Sequence, residues 1–168
     1  MAAGRTYEPI ATQTLSSNQS TVTFSSIPQT YTDLIIIAGN AAGGNASLAL
    51  QFNGDTGTNY SSTHFVASGT TQGYVSYTNS NALQTGYFDY LSSTNTYTGV
   101  INIPSYTNSN INKTVLNRGG NLDTGAGLGL GVGVWRNTAA ITSISLVLAN
   151  GGSINTGSVF TLYGIAAA

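Results

Sequence analysis

The chain has 168 residues, 40% of them hydrophobic and only 5% charged, with a formal net charge of -1 and no cysteine. That length fits one domain with a core of its own, and the apolar content sets the chain apart from disordered sequences, which combine low hydrophobicity with high charge. Four Lys and Arg residues cannot neutralise a run of phosphates, so nucleic acid and an anionic membrane surface are poor candidate partners. The absence of Cys rules out disulfides and thiolate metal sites.

The polar remainder is Ser, Thr, Asn and Gln, with 21 Gly and 10 Tyr, a mixture rich in strand and turn formers. No useful window carries helical periodicity, whereas short apolar or alternating runs recur between turn signals. In chain order the expected strands are 7–14, 20–25, 32–39, 47–53, 62–67, 73–78, 84–90, 97–103, 112–117, 127–135, 141–149 and 158–165. The expectation is a single all-β domain over 1–168, a jelly-roll-like antiparallel sandwich.

The amino-terminal residues 1–12, with Arg5 and Glu8, are a candidate docking arm. They lack the apolar segment of a secretory signal, and no stretch approaches the length of a membrane-spanning helix, so the expectation is a soluble protein made in the cytosol. In "FSSIPQTYTDL", Ile27, Pro28, Tyr31 and Leu34 suit a turn clamped by apolar contacts, and "DLIIIAGN" reads as a buried strand. "FNGDTGTNY" suits a turn in which Asn53 and Gly54 accept positive φ; a calcium loop is disfavoured because Asp55 is its sole carboxylate. His64 alternates with Phe65 in the next strand, and a surface or pore-lining position is expected for it.

Region 68–97 is polar and reads as weak strands or a long decorated loop. Across it and just beyond, Tyr74, Tyr77, Tyr87, Tyr90, Tyr97 and Tyr106 form a candidate glycan or partner surface, since a phenol joins a flat apolar face to a hydrogen-bonding tip. The alternative is that half or more cap the edges of the sandwich.

"GAGLGLGVGVWR" at 125–136 matches neither a dinucleotide turn nor a phosphate loop, because its glycines recur at every second position and no Lys follows. Leu128, Leu130, Val132 and Val134 therefore share one face and Gly127, Gly129, Gly131 and Gly133 the other. Burying the four aliphatic side chains would gain roughly 6–12 kcal/mol, enough to outweigh a glycine cost of about 2–4 kcal/mol. The bare face, with Trp135 at its end, is then a candidate oligomer interface, or else it is covered by aromatic side chains of the same chain. Arg136, Arg118 and Lys113 could pair with acidic groups of a neighbour, ordinary solvated charges being the safer reading.

In "ITSISLVLAN", Ile144, Leu146 and Leu148 mark a core face, "ANGGS" suggests a hairpin between the last two strands, and "SVFTLYGI" suggests a central strand covered on both sides. Catalysis would have to draw on Glu8, Asp33, Asp55, Asp89, Asp123 and the single His64, none in a setting that suggests an activated acid, base or nucleophile. The expectation is no enzyme activity, no cofactor and no metal.

Three segments, "YEPIATQTLSSNQSTVTFSSIPQTYTDLIII", "LALQFNGDTGTNYSSTHF" and "GVWRNTAAITSISLVLANGGSINTGSVFTLYGI", resemble structural proteins of tailed bacteriophages, notably phages of cyanobacteria, of the capsid decoration (cement), head-fibre and tail-fibre types. The resemblance covers most of the chain and is weakest across 68–97 and 118–127. It implies a jelly-roll-like virion component that forms homo-oligomers, often trimers, and performs no chemistry. The function expected from it is an oligomeric decoration protein that binds the major capsid protein and stabilises the shell. The alternative it leaves is a tail- or head-fibre module that recognises host surface polysaccharide.

Overall fold

A computed structural model describes residues 6–44, 46–85, 90–91, 96–121 and 127–166. The described residues form thirteen strands and no helix. They are β1 (Tyr7–Thr14), β2 (Thr21–Phe24), β3 (Asp33–Ala41), β4 (Ala46–Phe52), β5 (Tyr60–Ser68), β6 (Thr71–Ser80), β7 (Leu83–Gln84), β8 (Tyr90–Leu91), β9 (Tyr97–Ile103), β10 (Lys113–Asn121), β11 (Leu128–Trp135), β12 (Ile144–Leu148) and β13 (Val159–Ile165).

Two antiparallel sheets pack as a sandwich. The large sheet runs β1-β13-β3-β9-β10-β11-β5-β6, and the small one runs β2-β12-β4-β7 with β8 also paired to β4. This order is compatible with a jelly roll. Between the sheets lies one core, in which Leu34, Ile36, Leu48, Leu50, Phe52, Ile144, Leu146, Phe160 and Leu162 are buried. Alternation dictates those positions, since every second side chain of a strand points to the same face.

β1 fills residues 7–12 of the expected arm: the stretch is an edge strand paired with β13, and residues 1–5 lie outside the described residues. Pro9 sits on this edge beside a register shift between Pro9 and Ala11, where a missing N–H costs no ladder bond. Asn53 and Gly54 turn with φ of 53° and 70°, as their types allow. The expected hairpin around residues 149–153 is not formed, because β12 belongs to the small sheet and β13 to the large one. β13 is internal, with Phe160 and Leu162 in the core; its other face is half-buried.

Candidate functional site

The glycine strand is turned the other way from expectation. Leu128, Leu130 and Val132 are exposed, and the glycines face the sandwich interior. A Cβ at Gly131 would collide with His64 and Asn117, and one at Gly133 would come within 2.9 Å of Leu83. Gly127 is buried and accepts a hydrogen bond from the Asn121 N–H at 3.1 Å. Trp135, on the glycine face, is buried in the core, stacked on Tyr60 at 6.3 Å and packed against Phe52 at 5.4 Å. This chain's own side chains therefore fill the space beside Gly131, Gly133 and Trp135, and those positions do not offer a bare surface to a neighbour. Gly99 and Gly119 repeat the device, since the Tyr97 ring lies where their side chains would be.

Period two fixes which residues share a face but not which face is inside. Hydrophobicity favours the aliphatic face; volume decides for the other, because His64 of β5, Asn117 of β10 and Leu83 of β7 leave room only for glycine at positions 131 and 133 of β11. Trp135 was the signal. It has the same parity as the glycines, so burying its large ring in the core carries the glycine face inside with it.

The outer face of the large sheet is thereby left apolar. Cross-strand register aligns Tyr74, Phe65, Leu130, Arg118, Val100 and Ile37 in one row across six strands. The next row brings Val132 beside Leu116. Tyr74 is 78% exposed, Phe65 68% and Leu128 65%. Of the nine large hydrophobic residues exposed among those described, only Ile111 lies off this face. A groove of about 510 Å³ runs between Phe65, Tyr74, Leu128 and Leu130. A second of about 470 Å³, floored by Gly120 and Arg118, lies on the other side of the Leu128–Leu130 ridge. Scattered exposed hydrophobics are ordinary on a protein surface; a contiguous set on one sheet face marks a contact surface.

The tyrosines do not assemble into one platform. Tyr97 is buried over its glycines, and Tyr106 is buried with its hydroxyl donating to the Pro28 carbonyl. Tyr74 points outward, whereas Tyr77 points inward, its ring 6.2 Å from that of His64. Tyr87 and the Tyr90 side chain lie outside the described residues.

His64 is buried rather than on the surface or in a pore, and neither ring nitrogen has a hydrogen-bond partner among the described residues. Burial holds its pKa down at about 4. Ser62 Oγ and Asn117 Oδ1 are likewise buried and unpartnered among the described residues. Lys113 is not solvated either: its ammonium donates to the carbonyls of Asn108 at 2.6 Å, Thr138 at 2.8 Å and Ile111 at 2.9 Å, which ties two loops to the start of β10. Burial lowers its pKa. Arg136 spans Ser61, Thr58 and Asn79 within the same chain.

Asp55 stitches the loop after β4 to β11. Its carboxylate accepts from the Gly57 N–H at 2.8 Å, the Asn59 amide at 2.9 Å and the Trp135 indole N–H at 2.7 Å. Burial pushes its pKa up, but the bonds from Trp135, Asn59 and Gly57 outweigh that and bring it below the usual value. Tyr60 completes the knot by donating to the Asp55 carbonyl and accepting from the Phe52 N–H; burial drives its pKa up to about 12.

Among the described residues no three His, Cys, Asp or Glu side chains are close enough to hold a metal, and no helix is long and apolar enough to cross a membrane. The titratable groups that are brought together serve turns and loops. Comparison with protein-family models and with curated proteins finds no match.

Proposed function

We propose that the protein is a non-enzymatic structural component of a tailed-phage virion, of the decoration or cement type, which works by adhesion. The observation that carries the adhesive part is the outer face of the large sheet, which holds eight of the nine large hydrophobic side chains exposed among the described residues, with Ser and Thr between them and very few charges. A free particle has no use for such a face, whose exposure invites association. The virion part rests on the sequence resemblance across the amino-terminal, middle and carboxy-terminal segments. Mechanistically, a stiff sandwich held to its fellows and to the major capsid protein spreads buried contact across junctions of the shell and raises the work needed to rupture it. Homo-oligomers, trimers among them, belong to this reading.

The fibre alternative has less support, because the tyrosines that would stack on sugar are divided between core and surface. Quantitative mass spectrometry of purified particles separates the two. Copies comparable in number to the major capsid protein support a decoration role; a handful of copies per particle supports a fibre, and absence from particles refutes the virion reading.

A further inference from the structure

We propose that the outer face of the large sheet, around Phe65, Tyr74, Leu128 and Leu130, is the surface through which copies of this chain pack against one another. The inference deepens the adhesive reading above and rests on it, though not on a phage origin.

Extent is the first argument. Eight strands about 4.8 Å apart, each running roughly 25 Å, give a face on the order of 850 Å² in plan. A stable protein interface removes about 800 Å² from each partner, so this face is of the right size for one partner of this kind. The second argument is chemistry. The groove beside Phe65 and Tyr74 is lined by aliphatic, aromatic and glycine residues with Gln72 as the one amide, which leaves a sugar few hydrogen bonds. A lipid headgroup or nucleic acid would need several cations, and Arg118 is the single cation in the central row.

Charge also suits a like partner. Register places Asp33 on the same face as Arg118, at the start of β3, and the Arg136 guanidinium reaches the edge of that face at Ser61 Oγ, so the described residues bring it two cations and one anion. Charges this few set up little repulsion between copies, and Asp33 of one copy offers Arg118 of another an acceptor. The third argument concerns cover. Near the Ser68–Thr71 turn the described residues fill the inner face loosely: Gly129 is buried, yet an added Cβ there meets nothing within 4 Å, and Gly73 is exposed. A second copy over Phe65 and Leu130 adds burial at the end of the sheet where the described residues supply least.

The test uses the full chain at micromolar concentration and neutral pH. Sedimentation equilibrium is expected to give an oligomer for the native sequence, and Phe65→Asp or Leu130→Asp is expected to weaken association at least tenfold while leaving the far-ultraviolet dichroism spectrum unchanged. Ile111→Asp, an exposed position off the face, is expected to leave the mass unchanged. Should an Asp variant misfold, cysteine crosslinking decides, since the chain has no native thiol. Tyr74→Cys or Leu130→Cys should form dimers with a short bis-maleimide, and Ile111→Cys should not. A monomeric native chain, Asp variants that keep the native mass, or crosslinking independent of position would each overturn the inference. A native chain that is monomeric alone but binds purified capsid shells through Phe65 overturns it in favour of the shell protein, leaving the virion reading intact. An oligomer absent from particles does the reverse.

Discussion

Gly129 and Gly131 lie two residues apart on one face of β11, yet a methyl group added at each meets different surroundings. At Gly129 there is open space; at Gly131 the methyl meets His64 and Asn117, both buried. Gly131→Ala should therefore cost about 1–3 kcal/mol through overpacking. Gly129→Ala should be neutral or stabilise by up to about 1 kcal/mol, because it removes freedom from the unfolded chain alone. Urea denaturation of the two variants checks the contrast. His64 yields a pH prediction. With its folded pKa near 4 and an unfolded value near 6.5, the unfolded chain binds a proton between these values that the folded chain does not. Stability should fall as pH drops from about 6.5 to 4, by about 3 kcal/mol in all, and this group should add nothing further below about 4. His64→Asn should flatten that part of a stability–pH curve, measured by chemical denaturation at intervals across the window. Neither behaviour was legible in the sequence, since a histidine in an alternating strand is assigned a side only once its neighbours' volumes are known.

Elements were easier to read than faces. β1 and β9 were expected at their observed bounds, and β3, β4 and β13 nearly so, because alternation and turn residues are local signals. The stretch expected as one strand at 84–90 instead contributes two short strands, β7 and β8, both paired to β4, with residues 86–89 outside the described residues. Which strands pair is a non-local matter. "ANGGS" has turn chemistry, but turn chemistry does not say whether the chain reverses within a sheet or crosses to the other one. The loop after β4 shows how such a crossing is held, with the Asp55 carboxylate joining the Asn53–Gly54 turn to Trp135 at the far end of β11. Asp55→Ala leaves the buried indole N–H without its acceptor and should cost about 2–3 kcal/mol. Thermal unfolding should report that loss, and Trp135 fluorescence should change in the folded state. The sequence marked Asp55 as a turn residue; the indole it binds, 80 positions away in the chain, was not foreseeable from spacing.

For the whole molecule, the composition pointed to an uncharged, helix-poor sandwich, and two antiparallel sheets around one core agree with it. On β11 the glycines at 131 and 133 make room inside, and the aliphatic side chains that hydrophobicity assigns to the core form the outer ridge, the face proposed above as adhesive. That inversion turns a question about glycine into a question about what covers Phe65, Tyr74 and Leu130. Hydroxyl-radical footprinting asks it directly, comparing the dilute chain with the assembled particle. The account predicts that these three side chains lose most of their labelling on assembly while Ile111 keeps its own. Equal labelling in both states would contradict it.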